Sequence, residues 1–265
     1  MRLEQFTRGA GVPTLNRNLV HIVEVPLPPL SEQKRIGRIL DAANALRAKR
    51  SESLNQLDTL LRSTFLDMFG DPVANPSTSL EDVCELITDG THQTPTYASE
   101  GVTFLSSKNV KTGEINWEEI KFIPESLHKE LHKRLSPRRD DILLAKNGTT
   151  GTAAIVDRDD VFDIYVSLAL LRPKSSVSPV YLLHAINSDH AAFQFKRALK
   201  GVGVPNLHLK EIRKTRISLP PFDLQRRFAA IFESVEQQKA SQRALLDELD
   251  TLFASLQSRA FRGDL

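Results

Sequence analysis

The stretch "LPPLSEQKRI" at 27–36 returns, altered but recognisable, as "LPPFDLQRRF" at 219–228, 192 positions later. Working outward without a gap, residues 9–69 pair with 201–261, and 19 of those 61 positions are identical. The matches include Gly9/Gly201, Val12/Val204, Pro13/Pro205, Pro28/Pro220, Gln33/Gln225 and the run "LDTL" at 57–60 and 249–252. A chain built on a repeat must be read from the repeat, because each copy is one structural unit used twice.

Both copies share a plan. A Gly-Val-Pro turn leads to a short strand-like run ("HIVEVPL", 21–27; "TRISLP", 215–220). The Pro-Pro step cannot continue a strand and presets entry to a helix. Ser31 or Asp223 then offers an N-cap. A long helix follows to about Phe69 or Phe261, closed by Gly70 or Gly263. In the second helix Leu224, Phe228, Ile231, Val235, Gln238, Gln242, Leu245, Leu249, Leu252 and Leu256 recur at heptad spacing. In the first, Ile36, Ile39, Ala43, Leu46, Leu57 and Leu60 follow the same frame, with Arg50 and Ser53 in mid-seam. About 39 residues make a rod of roughly 58 Å. So narrow an apolar stripe needs a partner, and the other copy, antiparallel, is the candidate.

Between the helices the pattern changes. "DPVANPSTS" (71–79) is a turn cluster, and strands are expected in 101–107, 114–123, 140–146, 152–157 and 161–173. A helix is expected over 178–201, with Ser178 as cap and Pro179 at its first position. The fold class is therefore α+β: one mixed α/β domain flanked by two long helices forming an antiparallel coiled coil.

Composition bounds the function. Hydrophobic residues at 40% and charged residues at 26% describe a globular chain with a real core. One cysteine, Cys84, allows no internal disulfide, and no stretch approaches the apolar length of a membrane span, so a cytoplasmic setting is expected. Net charge is only +2, but seven Lys/Arg face one acid over 194–216, and five face one over 128–139. Such segregation suggests a basic face for phosphates. Three loops, "TDGTHQTPTY" (88–97), "SSKNVKTGE" (106–114) and "KNGTTGT" (146–152), carry the small, hydroxyl and amide residues that suit groove edges and phosphate oxygens. Ordinary turns use the same residues.

Catalytic signatures are missing. "NGTTGTA" has neither the spacing nor the lysine of a phosphate-binding P-loop. "GTTGTAAIVD" leads into a strand rather than a cofactor-binding helix. "VANPSTS" departs from an amino-methyltransferase motif at Ser77, and "DDILLAK" places Leu144 where a nuclease would need an acid. His128 and His132 stand four apart without the HExxH order or an obvious third ligand, so no metal site is expected and both are read as surface residues. No bound cofactor is expected either.

Two copies of "GVPxL…LPPxxxQ", each launching a long helix, resemble the specificity subunits of type I restriction–modification systems. The run "KGVGVPNLHLKEIRKTRISLPPFDLQRRF" (200–228) is similar to that family's end-of-domain motif, and the three loops match its looser internal pattern. The resemblance covers the whole chain, yet members carry two complete target-recognition domains and this chain has one. It implies a truncated or half-sized form: residues 1–30 as the end of a first recognition domain, helical regions at 31–70 and 223–262, and a recognition domain at 74–222. It implies non-catalytic reading of one half of a bipartite double-stranded DNA target. The helices would dock methyltransferase subunits and, through them, restriction subunits, which hold S-adenosylmethionine and ATP; a homodimer is a further expectation. The DNA contacts expected are Thr91, His92, Lys108, Asn109, Lys146, Asn147, Thr149 and Thr150 in the loops, and Lys200, Asn206, Lys210 and Arg213 beyond them. A coiled-coil adaptor binding protein instead of DNA, and an enzyme fused to a recognition domain, remain the alternatives.

Overall fold

The computed structural model describes residues 7–8, 14–15, 17–21, 27–70, 78–199 and 206–265. The Gly-Val-Pro turns, most of the 21–27 and 71–79 stretches, and Lys200 lie outside them. The chain forms two units, one of residues 1–56 with 239–265 and one of residues 57–238.

In the first unit a small antiparallel pair, β1 (Thr7–Arg8) and β2 (Thr14–Leu15), precedes the short helix α1 (Arg17–His21). The long helix α2 (Leu30–Phe69) begins in this unit, and the last helix of the chain ends in it. The second unit contains β3 (Thr78–Ser79), α3 (Leu80–Val83), β4 (Cys84–Asp89), β5 (Val102–Leu105), β6 (Lys121–Ile123), α4 (Glu125–Arg134), β7 (Ile142–Ala145), β8 (Ala153–Ile155), β9 (Phe162–Ile164) and β10 (Leu168–Pro173). After these come α5 (Pro179–Ile186), α6 (Asp189–Ala198), α7 (Leu209–Lys214), β11 (Arg216–Ile217) and the long α8 (Phe222–Arg262). No helix of the described residues is long and apolar enough to cross a membrane.

The repeated motif has a structural reason. Gln33 donates its side-chain amide to the Pro28 carbonyl at 2.8 Å, and Gln225 does the same to Pro220 at 2.8 Å. These are equivalent positions, so the same bond locks the chain's entry into both helices. The first helical N–H groups bond to the Pro29 and Pro221 carbonyls. The caps are therefore these prolines and not Ser31 and Asp223, which sit inside the first turn. The copies differ in one respect: Gln225 is buried and also accepts from the Ser178 amide at 2.9 Å, whereas Gln33 is exposed. Gly70 and Gly263 end the helices with φ of +69° and +78°, where a side chain would be strained.

The two long helices run antiparallel. In the first unit Arg47 bonds Asp250 and Arg50 bonds Gln242, so residue numbers fall along one helix as they rise along the other. Arg50 and Gln242 are equivalent positions of the repeat, so here the helices cross at matching residues. In the second unit Phe65 and Phe69 pack on Phe228. One column of each expected seam lies inward or half-buried: Ile36, Ala43, Arg50 and Leu57 in α2, and Phe228, Val235, Gln242, Leu249 and Leu256 in α8. The other column is displaced by one residue. Leu46, Leu60, Ile231 and Leu252 are exposed, and Ile39 and Leu245 are only half-buried. Their places are taken by Leu40, Arg47, Leu54 and Leu61 in α2, and by Gln225, Phe232, Lys239, Leu246 and Phe253 in α8. A heptad alternates steps of three and four, and a sparse stripe permits either order. Buried Ala43, Leu61 and Lys239 show which order the packing took.

The second unit is layered. A four-stranded antiparallel sheet, ordered β4-β10-β7-β8, lies between helices on one face and a three-stranded sheet, β6-β5-β9, on the other. In β7, Ile142 and Leu144 join the helical core with Leu171, Leu182 and Phe195, while Leu143 and Ala145 join the second core with Phe162, Ile164 and Leu170. A strand covered on both faces reads as an unbroken apolar run, which "ILLA" is. The three-stranded sheet is mixed, since β5 pairs antiparallel with β6 and parallel with β9.

Three local expectations change. The strand β4, "CELITD", was not anticipated, although it pairs with β10 over most of its length. The expected 178–201 helix is two helices, because Ser188 caps a new start by accepting from the Ala191 amide at 3.3 Å. The break frees Asn187 to pair with the edge of β8, accepting from the Ala153 amide and donating to its carbonyl. The 161–173 run is β9, a turn and β10. Cys84 is 6% exposed, and burial pushes its thiol up to about 12. In the native chain it should resist alkylation at pH 8, with one thiol reacting on unfolding; fast native-state reaction would contradict this packing.

Candidate nucleic-acid interface

The three sequence loops meet at one end of the second unit, at the short turn Tyr165-Val166-Ser167. The Tyr165 amide donates to the Leu105 carbonyl at 2.9 Å, and the Val166 amide to Thr91 at 2.9 Å. Ser167 accepts through its hydroxyl from the Ser107 amide (3.0 Å) and through its carbonyl from the Lys146 amide (2.8 Å). The Leu207 amide in turn donates to the Lys146 carbonyl at 3.0 Å. Segments starting at 89, 106, 146 and 206 are thus tied to one hub. Gly90 is required here, since a Cβ at that position would sit 2.0 Å from the Ile164 carbonyl oxygen.

Apart from Lys200, which lies outside the described residues, each expected contact residue finds a definite place. His92, Lys108, Thr149 and Lys210 are exposed, and Thr91, Asn147, Thr150 and Asn206 are half-buried. The Asn206 Oδ1 is buried with no hydrogen-bond partner. Three others are engaged inside the fold. Lys146 is 5% exposed, and its ammonium bonds Asp89 at 2.6 Å. Asn109 is buried, accepting from the Ser106 amide at 3.0 Å and donating to the Asn116 and Glu119 carbonyls. Arg213 donates to the Ile87 carbonyl at 2.6 Å. Lys146 and Asn109 are buried and do not face outward as expected, while half-buried Arg213 has one guanidinium N–H taken by the Ile87 carbonyl; each thus holds a loop or strand end in place. Gln93, Thr94 and His208 are exposed on the same loops but were missed. So was Tyr165, whose hydroxyl lies 2.9 Å from that of Thr94. A 13-residue apolar run is long for one strand, and that length was the available signal for the hub.

The expected basic face over 128–139 is neutralised in part. Arg138 pairs with Glu85 at 2.8 Å and Arg139 with Asp159 at 3.0 Å, and Arg134 donates to the Asp89 carbonyl at 2.9 Å. Asp159 belongs to a run rich in acids, Asp157, Asp159, Asp160 and Asp163, and brings that run against the basic stretch.

His128 and His132 are not plain surface residues. From α4 both turn toward Asp163 on β9. His128 Nδ1 lies 2.7 Å from Asp163 Oδ2, and His132 Nδ1 lies 3.7 Å from Oδ1. Asp163 is 2% exposed; burial pushes its carboxyl up, opposed by the His128 hydrogen bond and the neighbouring imidazoles. The third ligand type missing from the sequence pattern is thereby supplied.

Residues 71–251 match the family model described as the type I restriction modification DNA specificity domain. The chain is 22% identical to the type I restriction enzyme MjaVIII specificity subunit of Methanocaldococcus jannaschii, over 88% of this chain and 60% of that protein. It is also 22% identical to the EcoBI specificity subunit of Escherichia coli, over 98% of this chain and 62% of that one. The chain therefore spans about three fifths of the length of these curated relatives. Among solved structures, a chain from work on assembly and conformational transition of the type I R-M system is 23% identical, with a TM-score of 0.62 over 97% of this chain and 66% of that one. The HsdS subunit from Thermoanaerobacter tengcongensis, also 23% identical, has a TM-score of 0.51 over 99% and 66%. With more than half its length matched, the chain belongs to the type I restriction–modification DNA specificity domain family.

Proposed function

We propose that this chain recognises double-stranded DNA in a sequence-specific manner, reading one half of a bipartite target as part of a type I restriction–modification complex. The observation that carries it is the convergence of the three polar loops on one hub, with His92, Gln93, Lys108, Thr149 and Lys210 exposed there. Exposed amides and hydroxyls on a rigid sheet end suit base edges, and lysines suit phosphates. In the division proposed, residues 74–222 form the recognition domain, 31–70 and 223–262 are the helical regions, and 1–30 are the end of another recognition domain. The helices are proposed to space the half-sites and dock methyltransferase subunits, and through them restriction subunits. A helix of 40 residues is about 60 Å long, more than one turn of B-DNA. Exposed Leu46, Leu60, Leu66 and Leu252 on these helices leave apolar surface for such docking, or for a second copy of the chain. Catalysis, with S-adenosylmethionine and ATP, would then reside in the partners, and the setting would be cytoplasmic.

Gel shifts at two salt concentrations on genomic fragments, with the assembled complex, test this reading. Lys108→Ala should weaken binding to all sequences alike and lower the salt slope by about one. Asn147→Ala should cost about 1–3 kcal/mol on the preferred target and relax one position. Salt-independent binding, or none, would favour an adaptor that binds protein.

A further inference from the structure

We propose that His128, His132 and Asp163 form a binding site for one zinc-class divalent cation, clamping α4 onto β9. His132 Nδ1 and Asp163 Oδ1 are both buried without a hydrogen-bond partner. Buried polar atoms without a hydrogen bond are costly and uncommon in folded chains, and here two that can each offer a lone pair face each other. Their separation, 3.7 Å, is too long for a hydrogen bond. It matches two ligands on a single ion, since bonds of about 2.0–2.1 Å place ligand atoms roughly 3.3 Å apart in a tetrahedron and up to about 4 Å in a flattened one. His128 Nδ1 supplies the third donor once its 2.7 Å contact with Asp163 opens by about half an ångström. The donor atoms of the three residues already lie within 4.8 Å of one another.

The surroundings suit a ligand set. Ser136 Oγ lies 2.8 Å from His132 Nε2 and can accept a hydrogen bond from its N–H; in that tautomer Nδ1 keeps its lone pair toward Asp163. Two borderline imidazoles beside one hard carboxylate favour Zn²⁺, Co²⁺ or Ni²⁺ over Mg²⁺ or Ca²⁺. With three protein ligands, a fourth position remains for water. Asp163 stands two residues before Tyr165 of the loop hub, and Arg134 on α4 reaches the Asp89 carbonyl. A cation here would therefore fix the frame on which the loops stand. The site's existence does not depend on the DNA reading.

The test uses the full chain, stripped with a chelator and titrated with Co²⁺ as an optical probe and Zn²⁺ as competitor. One Co²⁺ per chain should bind with the intense visible absorption of a low-coordinate site, and Zn²⁺ should displace it. Zn²⁺ should also raise the melting temperature. His132→Gln, at a partly exposed position, should keep the fold by circular dichroism yet bind at least about 100-fold more weakly and lose the Zn²⁺-induced thermal shift, since even outer partners of a metal are worth about 10–100-fold. His92→Gln, at the exposed histidine near Asp89, should bind as the parent does. The proposal is overturned if the parent shows no low-coordinate Co²⁺ absorption and no thermal shift at tens of micromolar metal. Equal binding by His132→Gln would overturn it as well.

Discussion

Phe228→Ala should lower the stability of the second unit by about 3–5 kcal/mol, measured by urea unfolding followed by circular dichroism. The side chain is completely buried, with ring centroids of Phe65, Phe69 and His184 at 5.4, 5.6 and 4.9 Å, all close to edge-on. Truncation removes a large apolar surface and also leaves three rings without their common neighbour, in packing that cannot collapse freely. The contrast is three residues away on the same helix. Ile231, from the displaced column of the seam, is 38% exposed, so Ile231→Ala should change stability by only about 0.5 kcal/mol. Equal losses at the two positions would mean that the helices pair in the frame read from the sequence and not in the one found here.

Lys146→Ala should be nearly as damaging, at about 3–5 kcal/mol, although the residue lies in a polar loop. Its ammonium bonds the Asp89 carboxylate at 2.6 Å, and the two residues are 5% and 8% exposed. Removing the lysine strands a buried carboxylate next to Gly90, at the point where β4 enters the hub. The penalty comes mainly from the abandoned charge and less from the attraction lost. The double variant Lys146→Met with Asp89→Leu should therefore recover most of the stability. A near-neutral Lys146→Ala would sink this account and return the residue to the pool of outward-facing contacts. Because the Lys146 ammonium is buried against Asp89, the single variant should act through the fold and not through a lost outward contact.

Local periodicity explains why much of the architecture was legible in the sequence. A repeat with a Pro-Pro stop, a glutamine five residues after the first proline and a glycine at the far end specifies two helices and their limits by short-range forces alone. β-branched and aromatic content likewise marks β5, and an unbroken apolar run marks β7. The helical seam was half legible, since one column follows from spacing. The choice between a three-step and a four-step to the other column depends on which side chains the partner helix admits, and Arg47 and Lys239 would not be picked for an interior by their chemistry. The loop set was legible as a group. Lys146, Asn109 and Arg213 are the same residue types as the exposed loop residues, and only the arrival of Asp89, Asn116, Glu119 and Ile87 shows that they are used internally.

What the sequence by itself determined, then, is the family, the α+β class, the paired helices and the polar loops, because each rests on contacts a few residues apart or on a pattern repeated along the chain. Tertiary structure alone decided which residues face out, how the basic 128–139 stretch is neutralised in part by Glu85 and Asp159, and that Asp163 completes the His128–His132 pair. Charges and lone pairs are satisfied by whichever partner the fold brings within about 3 Å, and that partner can be 50 or more residues away in the chain, as Glu85 is from Arg138.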